Sequence, residues 1–168
     1  MTLDKQLVQS SKLLKNLPDA SLANLQKLLI RREWNTGTVV FHEGDVGDHM
    51  YFIESGSVEI SKTVEGDVRT PLASFGPGQC FGEMSLIDNS PRSASAHTKE
   101  PAVLLCLSRD DFNAYLKEDP LGAAILLMGV LWEVNERLRQ TDQLLRDTIY
   151  WGMRAGGHLT ISEKPPKG

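Results

Sequence analysis

The residue types able to do chemistry cluster between Phe81 and Ala96, in Phe-Gly-Glu-Met-Ser-Leu-Ile-Asp-Asn-Ser-Pro-Arg-Ser-Ala-Ser-Ala. Gly82 stands where a strand ends and backbone must come close to something, and Glu83 to Leu86 suit a single helical turn whose free amides point at an anion. The chain then returns through Asn89, Ser90 and Pro91 to Arg92, whose planar guanidinium grips a phosphate through two parallel hydrogen bonds. Ser93 adds a hydroxyl donor. Glu83 would repel a phosphate from this turn unless its carboxylate met a part of the same ligand that donates hydrogen bonds, and a ribose hydroxyl meets that requirement. Phe81, Met84, Ser85, Pro91 and Ala94 fill out the candidate binding segment.

A Gly-Glu turn followed by Pro-Arg is, by itself, more often an ordinary β-turn with a solvated arginine, so the flanking elements have to decide. Before it, Leu7, Leu13, Leu14, Leu17, Leu22, Leu25, Leu28 and Leu29 recur at three- and four-residue steps interrupted by Pro18, which predicts two short helices up to Ile30. After Trp34, glycines punctuate the chain at Gly37, Gly44, Gly47, Gly56, Gly66, Gly76, Gly78 and Gly82. Between them and beyond lie β-branched and aromatic runs at 38–41, 50–53, 58–63, 68–73 and 103–107, with a hairpin turn at Glu65-Gly-Asp67. Short strands at that spacing predict a mainly β fold with flanking helices, a double-stranded β-helix or jelly-roll-like β-roll.

Ser108 and Asp111 read as a capping box opening a helix from Arg109 to about Lys117. Beyond Pro120 a second helix is expected from Leu121 to about Thr148, roughly 40 Å of rod. Within it Leu127, Leu131, Val134, Leu138, Thr141, Leu145 and Thr148 follow a heptad seam, which wants a partner helix and favours a homodimer over packing on the chain's own β-roll. The expected organisation is therefore a helical segment at 1–33, a β-roll at 34–108 carrying the binding segment 81–96, helices at 109–150 and a flexible tail at 151–168.

Composition narrows the function classes. The 168 residues carry a formal charge of −4 with no run of lysines or arginines to track a nucleic-acid backbone, so no nucleic-acid partner is expected. The start lacks a basic flank and apolar core, and the apolar run 121–132 is shorter than the ~18 to 20 residues that cross a bilayer, so a cytoplasmic location without membrane partners is expected. Cys80 and Cys106 read as buried thiols. His42, His49, His97 and His158 are too scattered for a metal site, so a cupin-type metalloenzyme is not expected, and no nucleophile sits with a base.

Residues 81–96 resemble the phosphate-binding cassette of cyclic-nucleotide-binding domains, the family of the catabolite activator protein, the regulatory subunits of cAMP-dependent kinase and cyclic-nucleotide-gated channels. Val40-Phe-His-Glu-Gly-Asp45, Met50-Tyr-Phe-Ile-Glu-Ser-Gly-Ser-Val58 and Phe75-Gly-Pro-Gly-Gln-Cys-Phe-Gly-Glu83 resemble that family's successive strands and turns. The resemblance, spanning about Leu14 to Leu145, implies that Glu83 receives the ribose 2′-hydroxyl, that Arg92 grips the cyclic phosphate and that Ser93 adds a phosphate contact. Laid on the family's long helix, Thr141 falls where a threonine contacts the adenine amino group, Asp142 where the activator has a serine, and Arg137 would face Glu83. The about twenty residues after Thr148 are too few for the helix-turn-helix of activator-type members. The implied protein is not an enzyme: it is a regulatory sensor of cAMP, with cGMP as the alternative ligand, without cofactor or metal, acting on a downstream protein through its C-terminal helix. The competing expectation is a β-roll assembly module that has lost its ligand.

Overall fold

The computed structural model describes residues 3–64, 68–88 and 90–155. It divides into two compact units, the boundary falling inside the last helix between Val130 and Leu131.

The first unit opens with α1 (Lys5–Ser10), capped by the Asp4 carboxylate, which accepts from the Gln6 amide at 2.7 Å, and α2 (Asp19–Leu28). Eight strands follow: β1 (Ile30–Trp34), β2 (Val39–Phe41), β3 (His49–Ser55), β4 (Val58–Val64), β5 (Val68–Phe75), β6 (Cys80–Phe81), β7 (Ser95–Thr98) and β8 (Ala102–Ser108). The helix α3 (Met84–Asp88) interrupts them, and α4 (Arg109–Glu118) and the start of α5 (Pro120–Ala155) close the unit. One antiparallel sheet has the order β1-β8-β3-β6 and the other β2-β7-β4-β5, the β-roll expected from the spacing of the strands.

Side-chain alternation distributes the apolar residues of β3 to two places. Ile53 joins Val58, Phe75, Phe81, Ala96, Ala102 and Leu104 in the core inside the roll. Met50, on the opposite face, lines a cavity with Phe112 of α4 and Leu126 of α5. Helix α4 starts as the capping residues require, the Ser108 hydroxyl accepting from the Asp111 amide at 3.0 Å.

Two short strands depart from the sequence reading. Residues 30–34, expected to end a helical segment at 33, form β1, and every one of them pairs with β8 from Ile30 opposite Cys106 to Trp34 opposite Ala102. An edge strand with both faces largely in solvent shows no alternation to read. Strand β7 is likewise invisible, at four residues too short to carry a period, whereas β6 is the strand expected to end at Gly82. In the second unit α5 continues to Ala155, past the expected end near Thr148, so 151–155 are helical instead of tail. Gly152 alone lowers helix propensity by about 1 kcal/mol, which the helix formers around it tolerate. The expected hairpin turn at 65–67 and the remaining tail at 156–168 lie outside the described residues.

Candidate functional site

Arg92 is the centre of the arrangement. Strands β3 and β6 are antiparallel neighbours, Tyr51 opposite Phe81, and the carbonyls at the ends of this pairing converge on the guanidinium. Its Nη1 donates to the Gly82 carbonyl at 2.9 Å and its Nη2 to the His49 carbonyl at 2.8 Å. The guanidinium lies over the Phe41 ring, Cζ 4.1 Å from the centroid, with the Tyr51 ring at 5.7 Å. Only 4% of the residue is exposed. No carboxylate stands within ion-pair distance of it among the described residues, and its Nε is buried without a hydrogen-bond partner. Burial lowers its pKa, while Tyr51, Asp48 and Glu83 act the other way. The result is a desolvated cation held by neutral oxygens, the electrostatic complement of a buried anion.

Gly82 makes this packing possible. It takes a φ of 75°, and a Cβ there would lie 2.8 Å from Arg92 Nη1 and 3.2 Å from the His49 carbonyl oxygen. Helix α3 begins at Met84, one residue after the expected Glu83. Glu83, 6% exposed, lines the cavity formed with Met50, Ile87, Phe112, Leu126, Leu127 and Val130. Ser93 is exposed, its hydroxyl 3.9 Å from the Met84 sulfur. Phe81 and Ala94 are buried, Pro91 is exposed, and the side chain of Ser85 lies outside the described residues. The structure thus brings Gly82 and Arg92 into direct contact and sets Met84 beside Ser93, with Glu83 following Gly82 at the end of β6.

Arg137, Thr141 and Asp142 belong to the second unit. There Arg137 stands 3.7 Å from Glu133 one turn earlier, and the Thr141 hydroxyl donates to the Arg137 carbonyl at 2.9 Å. Leu131, Leu138, Leu145 and Ile149 are exposed along one stripe of this helix. Among the described residues no group of three or more His, Cys, Asp or Glu could hold a metal, and no helix is long and apolar enough to cross a membrane. Cys80 and Cys106 are both buried, and desolvation pushes the Cys106 thiol to about 11.

Sequence reasoning missed Phe41, Tyr51 and the His49 carbonyl. The first two were placed in strands without a role, since a ring that supports a cation looks in sequence like a ring that fills a core. A backbone acceptor leaves no trace in residue type at all.

The sequence profile described as cyclic nucleotide-binding domain matches residues 31–119. The chain is 43% identical over 112 residues to the cyclic AMP receptor protein of Thermus thermophilus, covering 67% of this chain and 50% of that one. It is 33% identical over 101 residues to the cAMP-dependent protein kinase type II regulatory subunit of Drosophila melanogaster, 60% of this chain and 26% of the relative. Among solved structures, a cyclic nucleotide-binding domain from Methylobacillus flagellatus superposes with a TM-score of 0.76 at 28% identity, covering 85% of this chain and 81% of that one. The chain spans about half the length of the Thermus relative, 50%, and about a quarter of the Drosophila one, 26%.

Proposed function

Because the chain belongs to the cyclic nucleotide-binding domain family, we propose that it is a regulatory sensor that binds a cyclic nucleotide, cAMP in preference to cGMP, and signals by reorienting its C-terminal helix. The observation that carries this reading is Arg92: buried, without a carboxylate at ion-pair distance among the described residues, and with an unpartnered Nε. An unsatisfied buried N–H costs about 1–3 kcal/mol, and more on a charged group, which a phosphate oxygen recovers. Glu83 takes the ribose hydroxyl and Ser93 a second phosphate oxygen. The preference for cAMP draws on the chemistry of Thr141 alone. Its hydroxyl proton is committed to the Arg137 carbonyl, so its oxygen is left to accept, which suits the amino group at C6 of adenine and not the carbonyl of guanine there. Binding is the whole chemistry in this reading, and the coupling between ligand and helix orientation has the usual size of ~1–3 kcal/mol.

A thermal-shift panel of cAMP, cGMP, cyclic dinucleotides and buffer tests the reading, since a ligand at about 100 times its Kd stabilises by about 2.7 kcal/mol. Cyclic AMP should give the largest shift. Silence across the panel would sink the sensor and favour the assembly module, a reading that draws on the two backbone carbonyls already engaging Arg92. The exposed stripe of Leu131, Leu138 and Leu145 supports a second copy of the chain as partner. Sedimentation of Leu138→Glu against wild type checks this, the expected outcome being a dimer that the variant converts to monomer.

A further inference from the structure

Arg92 needs more than an opposing anion; it has to be held in place beforehand, and the segment that does so is on the other side of the roll's seam, in β2 and the turn after it. The register of β2 on β7 shifts between Val39 and Phe41, which pair with His97 and Ala96. This bulge lets Val40 and Phe41 both pack against the core while Val39 stays exposed. The Phe41 ring is fixed by two others, Tyr51 and Phe81, each with its centroid 5.9 Å away. The chain then turns at Gly44, φ 85°, with the His42 amide donating to the Asp45 carboxylate at 2.7 Å. That turn returns to the arginine's own backbone. The Gly44 amide donates to the Arg92 carbonyl and the Arg92 amide to the Asp45 carbonyl, both at 2.9 Å.

We propose that Phe41 is a positioning residue: the Phe41–Asp45 turn clamps Arg92 through two main-chain bonds while the negative face of the Phe41 ring, 4.1 Å from Cζ, holds the guanidinium in its binding orientation before ligand arrives. The two carbonyls of Gly82 and His49 fix the guanidinium from one edge. The ring supplies the face. A cation over an aromatic face keeps its charge available to an anion at its edge, which a carboxylate partner would neutralise. Pre-setting the side chain also removes ordering entropy that binding would otherwise have to meet. The consequence for affinity rests on the cyclic-nucleotide reading, whereas the clamp itself does not.

Two measurements on Phe41→Leu and on a series of increasingly fluorinated phenylalanines at 41, which weaken the ring's negative face at nearly constant shape, test this. In ligand-free protein the Arg92 Nε–H resonance, identified by its loss in Arg92→Lys, should carry a ring-current shift that Phe41→Leu abolishes. Its exchange with solvent should quicken along the fluorinated series. By calorimetry, cAMP affinity should fall about three- to tenfold in Phe41→Leu and in steps along the series, the reach of a partly desolvated cation–π contact. An Nε–H resonance indifferent to Phe41→Leu overturns the clamp. So does an affinity that stays at the wild-type value while that resonance moves, or one that falls in Phe41→Leu but ignores fluorination, since the ring would then be filling space. If wild-type protein binds no cyclic nucleotide, the functional reading falls, and the resonance still decides whether Phe41 holds the arginine.

Discussion

Arg69 is tied to the β2-β7-β4-β5 sheet and the Arg92 guanidinium to the end of the β3–β6 pairing in the other, and they solve the problem of a guanidinium in opposite ways. Arg69, on β5, donates from Nε to the Ser61 hydroxyl at 2.9 Å and from Nη2 to His97. His97 in turn contacts Glu59 at 3.1 Å, and Lys99 stands 3.6 Å from the same carboxylate. This outer group contains its own counter-charge and is complete. Among the described residues Arg92 is held by carbonyls and an aromatic face, and it is the more deeply buried of the two. A cation buried with neutral acceptors keeps its electrostatic appetite, whereas one tied into a network with a carboxylate has spent it. Of two arginines of equal formal charge, the tertiary environment marks only one as a place for an anion.

The comparison breaks most directly at Arg92. Arg92→Ala should lower cAMP affinity by about 2 to 5 kcal/mol, roughly one and a half to three and a half decades, in calorimetry. An undiminished affinity would remove the distinction between the two arginines. Next in size, Gly82→Ala forces a Cβ against the guanidinium and a left-handed φ on alanine. It should cost about 1–3 kcal/mol of stability in urea denaturation, with a weaker ligand response as Arg92 is displaced. The outer group should behave otherwise: Glu59→Gln is expected to leave cAMP affinity within about twofold of wild type, as for a site that shares no partner with Arg92. A large affinity loss there would mean that the outer network serves the site after all.

The smallest effect concerns pH. The ring of His49, whose carbonyl holds Arg92, contacts the Asp48 carboxylate at 2.6 Å, and this hydrogen bond holds the Asp48 carboxyl below its ordinary range. A depressed carboxyl contributes stability that is present above its unfolded pKa, near 4, and is lost as pH falls through the lower folded value. Asp48→Asn should therefore flatten the stability–pH profile of the first unit below about pH 4 and leave it unchanged near neutrality. Because the side chain is mostly exposed, the change is a small one. A profile that flattens near neutrality instead would overturn the assignment to the Asp48 carboxyl.

Much of the fold was legible in the residues. Glycine punctuation and β-branched runs located β2, β3, β4, β5 and β8, because turn residues and strand residues are chosen by local backbone sterics. The Ser108 cap and the helical periods before 30 and after 120 are local in the same sense. What stayed hidden depends on partners distant in sequence. The strand β1 exists because β8, more than seventy residues later, offers it an edge, and β7 is a strand because β2 and β4 flank it.

At the candidate site the division is the same. The order Gly82, Glu83, Pro91, Arg92, Ser93 determined by itself that an anion could be met here, since glycine permits a tight approach and a guanidinium matches a phosphate at any place in a fold. Only the tertiary structure decided how deeply Arg92 is buried, that its acceptors are the carbonyls of Gly82 and His49, and that Phe41 lies beneath it. Residue type fixes which bonds a side chain is able to make. The strength and direction of a charge depend on desolvation and on neighbours, which exist only once β2, β3 and β6 have been brought together.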